Sequence, residues 1–201
     1  MPHVNIAYTH MPPSMFLSVD NAANTLNLII ERILEGNGWD KISLEGTDIF
    51  VAHVERDGVV WGSGKRAAEE TPERAKNSII RLRFRPNQHM GNHFGALHGA
   101  YSAGIVDILS TLVLVLHTSG EAGSPWSTLG VSNIITLHYM LPTTVGRWIE
   151  FEARTLRVGR SQALIAVDIY ELDGRDGKRV RHTITATHAK SDVPGTAISK
   201  L

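Results

Sequence analysis

Two residues of this sequence, Gly99 and Asp107, have a type and spacing that could do chemistry, and both fall in an apolar stretch that runs from Leu97 to His117. On a helix at about 100° per residue, Ile105, Leu109, Leu112 and Leu116 share one face with nothing polar in it. The opposite face carries Ala100, Ala103, Gly104, Asp107, Ser110 and Thr111. A solvated helix face usually bears several long charged side chains. This face bears one carboxylate among small residues, so the carboxylate sits in a confined space and another backbone can come close. A carboxylate there can take a proton from water at neutral pH. Gly99 falls near the N-terminus of the same helix, where free N–H groups and the helix dipole stabilise a developing oxyanion. The absence of a side chain lets a substrate carbonyl approach. The plainer alternatives are an ordinary surface Asp and a glycine that eases a turn; for Gly99 taken alone, the second would prevail.

Their spacing adds a constraint. Eight residues at 1.5 Å rise span about 12 Å along the helix axis. One substrate carbon cannot meet both groups from the same chain. If both act, they come from different subunits, with two such helices packed antiparallel about a twofold axis.

The rest of the chain must hold this helix. Residues 21–34 predict a helix, with Asp20 capping its first turn, Leu26, Ile29, Ile30 and Ile33 as its apolar stripe, and Gly36 and Gly38 ending it. A strand over about 48–55 leads into an Asp57-Gly58 hairpin turn, with Val59-Val60-Trp61 returning beside it. Residues 62–77 read as a polar loop. Ile80, Leu82 and Phe84 alternate with Arg81, Arg83 and Arg85, a half-buried strand with one basic edge. After the central helix (97–117) come four strands, about 130–140, 148–157, 162–172 and 179–190. Val158-Gly159-Arg160-Ser161 and Asp173-Gly174-Arg175-Asp176-Gly177 are turns between them. This is an α+β pattern in which an antiparallel sheet can wrap one long helix. Residues 1–20 are expected to be an irregular arm, 21–192 a single domain and 193–201 a tail.

Composition narrows the function classes. The chain has 201 residues, 42% of them apolar, which is enough for a sizeable core. Lys+Arg and Asp+Glu are both 20, and this balance argues against a general nucleic-acid binder. The absence of cysteine excludes disulfides, thiolate metal sites and a cysteine nucleophile. The first twenty residues contain no Lys or Arg and no long apolar run, so neither a secretory nor a mitochondrial leader is evident, and a cytoplasmic protein without a membrane span is expected. Other signals fail. Gly-x-Ser-x-Gly is absent. Gly62-Ser63-Gly64-Lys65 resembles a phosphate loop, but its first glycine is misplaced and Arg66 follows the lysine. His89 and His93 are four apart, yet Gly91 and Asn92 lie between them and Pro86 precedes them, so no metal is expected. His53, His117, His138 and His182 read as surface residues.

Asn92-x-x-Gly95-x-Leu97-His98-Gly99, followed by Asp107, resembles the signature of hotdog-fold acyl-CoA thioesterases of the 4-hydroxybenzoyl-CoA thioesterase superfamily. The nearest branch is that of the phenylacetate-pathway thioesterases and thioesterase superfamily member 2. Gly130-Val131-Ser132, His138-Tyr139-Met140-x-Pro142 with Gly146, and Val158-Gly159-Arg160-Ser161 resemble further parts of that pattern. The resemblance covers residues 85–190 closely and 20–84 only in element order. It implies a hotdog fold with an N-terminal helical extension. It implies that Asp107 is the general base or nucleophile, and that Asn92 holds the water or the carbonyl. His98 and the Gly99 amide would polarise the carbonyl oxygen, and Ser132, from the subunit that donates Asp107, would orient the water. Arg160 and Ser161 would contact coenzyme A, with Arg157, Arg181, His188 and Lys190 as further sources of positive charge. Coenzyme A would enter as part of the substrate, with no resident cofactor, and a homodimer, doubled to a dimer of dimers, is expected. Ala100 departs from a second glycine common in the family. A non-catalytic acyl-binding module and a hydratase remain as alternatives. The hydratase is the weaker, because it wants an Asp–His pair and the next histidine along the helix is His117.

Overall fold

The chain runs through α1 (Ser14–Leu17), α2 (Val19–Glu35), α3 (Trp39–Leu44), β1 (Phe50–Arg56), β2 (Val59–Val60), β3 (Ser78–Phe84), α4 (Gly99–Thr111), β4 (Val131–Tyr139), β5 (Ile149–Val158), β6 (Gln162–Leu172) and β7 (Arg179–Ser191). The computed structural model describes residues 11–64 and 71–193. The first ten residues of the expected arm, Lys65 and Arg66, and residues 194–201 of the expected tail lie outside the described residues. The strands form one antiparallel sheet in the order β2-β1-β3-β5-β6-β7-β4.

Alternation in the strands decides which face meets the helix. Ile80, Leu82 and Phe84 of β3, Ile149, Phe151 and Ala153 of β5, and Ile165, Val167 and Ile169 of β6 are all fully buried. They pack against Ile105, Leu109, Leu112 and Leu116, the stripe read from the sequence. Each large side chain so buried contributes about 1.5–3 kcal/mol. Past Thr111 the helix tightens into a 3-10 stretch, Leu112–His117, that is buried throughout. Gly99–His117 is thus long and apolar enough to cross a membrane by composition alone, but here it is the core helix that the sheet wraps.

The N-terminal segments are more ordered than expected. The described part of the arm holds α1, because Pro12 and Pro13 preset a helical first turn. Met15 N–H donates to the Pro12 carbonyl at 2.9 Å, and Phe16 is buried. Ser18, not Asp20, caps α2: its Oγ accepts from Asn21 N–H at 3.0 Å. Asp20 instead accepts from Gly62 N–H at 2.9 Å, tying down the loop after the hairpin. Trp61 lies just outside β2, and the expected loop over 62–77 contains a 3-10 turn, Pro72–Arg74. The buried Arg56 donates to the carbonyls of Phe16 (3.2 Å) and Leu116 (3.4 Å), joining α1 and the end of the core helix to β1.

The outer face of the sheet is a ladder of cross-strand ion pairs. Arg81 bonds Glu152 at 2.7 Å, Arg83 bonds Glu150 at 2.8 Å, Arg179 bonds Glu150 at 2.7 Å and Arg181 bonds Glu171 at 2.8 Å. Arg81 and Arg83 of the basic edge read from β3 are thereby neutralised by β5, and Arg85 pairs with Asp48 at 3.3 Å. Burial pushes the Glu152, Asp168 and Glu171 carboxyls up, but bonds from arginines, and from Thr144 at Glu171, outweigh it and hold all three below the ordinary range. A carboxyl depressed in the folded state stabilises the fold above its unfolded value, about 4, and that contribution is lost as pH falls through the folded value. Urea unfolding from pH 7 to pH 2.5 should show an earlier decline from about pH 6.5, set by the buried His117 and His188, both lowered to about 4 in the fold. On top of it, the carboxyl contribution should be level to about pH 4.5 and fall below it. In an Arg179→Met variant, this acid-dependent part should shrink.

Candidate active site

Gly99 opens α4. His98 is the N-cap, and its Nδ1 accepts from Ala100 N–H at 3.2 Å. The Gly99 N–H therefore has no intrahelical acceptor and is one of the free donors at a helix start. Asn92 shapes the loop leading in: its Oδ1 accepts from Phe94 N–H (2.9 Å) and Ala96 N–H (3.2 Å), which leaves its amide N–H groups to serve a ligand. Asn92 and Gly99 line one cleft of about 490 Å³ with Phe94, Tyr139, Met140 and Pro142. Tyr139, from the end of β4, donates to the Gly99 carbonyl at 2.7 Å.

Asp107 lies elsewhere. It lines a second cleft of about 300 Å³ with Asp40, Thr111, Val131, Ser132 and Lys190. Ser132 Oγ donates to Asp107 Oδ1 at 2.5 Å. A backbone irregularity makes that contact. Ile135, Leu137 and Tyr139 face the helix, and strict alternation would turn Asn133 inward. The register between β4 and β7 shifts between Ser132 and Ile134, a bulge at Asn133 that re-aims Ser132 toward Asp107. Asn133 Nδ2 bonds Ser191 Oγ at 2.7 Å and holds the bulge.

Within one chain, then, Asp107 and Ser132 are together, and Asn92, Gly99 and the exposed His98 are together. The two sets stand at opposite ends of β4. Arg160 and Ser161 join neither cleft. They form the exposed β5–β6 turn, at the Asp107 end of the sheet, where the Ser161 carbonyl accepts from Asp192 N–H at 2.9 Å.

Three residues near Asp107 were missed or misplaced in the sequence. His188 and Lys190 are not surface charges for phosphate; they are 0% and 3% exposed. They continue the inward face of β7 after Ile184 and Ala186, and that period-two pattern was the signal available to find them. His188 Nδ1 bonds Ser110 Oγ at 2.7 Å and its Nε2 lies 3.6 Å from Asp107 Oδ1. Ser110 is accordingly buried rather than part of the small, open helix face. Burial, and Lys190 beside it, push the His188 imidazole down to about 4 against the pull of Asp107, so it is neutral at pH 7. Asp107 thus has a histidine beside it, supplied by β7. His117 is not that histidine, nor a surface residue: it is buried at the end of the 3-10 stretch, where burial lowers it to about 4. The third residue, Asp40, comes from α3. Six residues after a glycine give too little periodicity to announce a helix. Burial raises the Asp40 carboxyl, and the Asp107 charge adds to the rise. Trp39 of the same helix covers Gly104, where an added Cβ would sit 3.2 Å from the indole. Of the remaining basic candidates, Arg181 is engaged by Glu171, while Arg157 and Arg160 are exposed.

Residues 94–178 match the thioesterase superfamily. Mouse acyl-coenzyme A thioesterase 13 is 36% identical over 78 residues, which are 39% of this chain and 51% of that protein. The chain therefore spans about half the length of the curated relatives it matches. The structure of zebra fish thioesterase superfamily member 2 superposes with a TM-score of 0.59 at 22% identity, covering 84% of this chain and 96% of the other. The E. coli PaaI protein, from the phenylacetic acid degradation operon, superposes with a TM-score of 0.55 at 10% identity, covering 88% and 96%. The chain has the hotdog fold of these structures, and its residues 94–178 are similar to the thioesterase superfamily.

The two glycines that flank the site should respond differently to an added methyl. A Cβ on Gly99 would stand 3.5 Å from the Tyr139 hydroxyl, an ordinary contact. A Cβ on Gly130 would collide with the Ser191 carbonyl, and Gly130 has a φ of +66°. Urea unfolding should find Gly99→Ala as stable as the native protein and Gly130→Ala weaker by at least about 1 kcal/mol. Equal stabilities would contradict the close approach of residue 130 to β7.

Proposed function

We propose that this chain is an acyl-CoA thioesterase that hydrolyses an acyl-CoA thioester to the free acid and coenzyme A, with each active site shared between two subunits. The observation that carries the reading is the placement of the two half-sites along one open strand. Strand β4 pairs with β7 on one side only and ends the sheet. Its Val131, Ile134 and Tyr139 are 44%, 64% and 55% exposed. Asp107 is bonded to its beginning, at Ser132, and Gly99 to its end, at Tyr139. If β4 pairs antiparallel with a second copy of itself, its beginning lies beside the partner's end. Asp107 and Ser132 then meet the partner subunit's Gly99, Asn92 and His98 across a twofold axis. The same pairing satisfies a row of otherwise open backbone groups.

The chemistry follows from the groups. Asp107 takes a proton from water, and the hydroxide adds to the thioester carbonyl carbon. The carbonyl oxygen becomes an oxyanion beside the partner subunit's Gly99 N–H at its helix start, with Asn92 and His98 of the partner subunit as further donors. Collapse breaks the C–S bond. The thiolate is a good leaving group and takes a proton without a strong acid. Arg160, exposed and without an ion pair among the described residues, is placed to meet a coenzyme A phosphate, with Ser161 beside it. The names of the similar proteins, acyl-coenzyme A thioesterase 13 among them, support this substrate class. The hydratase reading gains little from His188, because a side chain with no exposure cannot touch a substrate.

The test is thiol release from short, aromatic and long-chain acyl-CoAs. Asp107→Asn should lose at least ~10²-fold in kcat with its fold intact. Gly99→Ala should lose activity by crowding the carbonyl. Refolding the two variants together should restore roughly a quarter of native activity, because half the dimers are mixed and each mixed dimer holds one intact site. Tight acyl-CoA binding without turnover in the native protein would favour the binding module. A fully active monomer would sink the shared site.

A further inference from the structure

Lys190 is a buried ammonium whose two hydrogen bonds both go to hydroxyls. Its Nζ donates to Thr111 Oγ1 at 3.0 Å and to Ser132 Oγ at 3.4 Å. An ammonium has three protons and no lone pair, so both hydroxyl oxygens must accept from it. Each hydroxyl then sends its own proton onward. Thr111 donates to the Asp107 carbonyl at 2.8 Å, and Ser132 donates to Asp107 Oδ1 at 2.5 Å. His188 Nε2 also approaches Oδ1, at 3.6 Å. Both side-chain contacts of the carboxylate thus fall on one oxygen, and Oδ2 has no hydrogen bond among the described residues. An isolated buried ammonium is costly, so its position between two hydroxyls and beside a carboxylate calls for a reason.

We propose that Lys190 is a positioning residue: it locks the Ser132 proton onto Asp107 Oδ1, keeps the carboxylate ionised, and so reserves Oδ2 as the base. This rests on the reading of Asp107 as the proton acceptor and names what sets its state. The lock has a direction that a neutral amine would lose, because an amine with a lone pair can accept the Ser132 proton itself. Burial pushes the Lys190 ammonium down to about 8, against the pull of Asp107. Two other titratable groups face the cluster. Asp40, from α3, is a second carboxylate that burial and the Asp107 charge push up, and His188, from β7, is neutral at pH 7. Lys190 is the cation of the group.

Carbon-13 NMR of aspartate-labelled protein tests this without turnover, with the Asp107 carboxyl assigned by its loss in Asp107→Asn. In the native protein, the Asp107 signal should show its acid step and a second inflection near pH 8 as Lys190 loses its proton. In Lys190→Met, checked for fold by circular dichroism, the acid midpoint should rise by about one pH unit and the second inflection should vanish. Lys190→Arg should restore the acid midpoint while removing the inflection near pH 8. A native titration with no inflection near pH 8, or an acid midpoint unmoved by Lys190→Met, overturns the proposal. Failure of the native protein to hydrolyse any acyl-CoA would instead overturn the function of Asp107 and leave the coupling readable.

Discussion

The core helix has one aliphatic side and one side of small residues, and burying the first fixes the aim of the second. Ile105, Leu109, Leu112 and Leu116 lock into the concave face of the sheet, so the helix can neither roll nor slide without losing several kcal/mol of buried area. Gly99 and Asp107 are then held about 12 Å apart on a rigid rod. The bulge at Asn133, the cap at His98 and the tie from Tyr139 are adjustments around that rod. Each brings a group to one end or the other; none brings the ends together.

Much of this was legible from residue order. The four strands after the helix fall within a residue or so of their expected limits, because their turns carry clear glycine signals and their faces alternate. The pairing of a helix start with a carboxylate was readable because helical rise is fixed. What escaped reading depends on contacts distant in sequence. His188 and Lys190 stand 81 and 83 positions after Asp107, and only the sheet order brings β7 under the helix. Alternation placed them inward, but a strand that ends in ionisable residues reads more simply as a strand emerging into solvent. Asp40 depends on a six-residue helix that tertiary packing of Trp39 and Leu44 supports. Ser18 displaced Asp20 as the cap because Asp20 had a better partner across the fold in Gly62.

The interior beside Asp107 is polar in a way the rest of the core is not. Ser110, His188 and Lys190 together occupy space that aliphatic side chains fill elsewhere. Burying such groups stabilises a fold little even when they are well bonded. Their arrangement makes better sense as positioning of one carboxylate. The Ser132 hydroxyl bonds one of its oxygens, the His188 ring stands 3.6 Å from the same oxygen, the Lys190 ammonium bonds that hydroxyl from behind, and α3 closes the side of the cleft with a second carboxylate.

The two ends of the sheet are unequal. One is β4, nine residues long and open; the other finishes in β2, two residues long. An open strand that pairs with its own copy is consumed in doing so, and a two-residue strand offers too little backbone to template a third chain. If β4 pairs with its own copy, as proposed, growth of the sheet terminates at two copies instead of propagating into a filament. The same brevity of β2 that looks incidental in one chain makes edge-to-edge assembly finite.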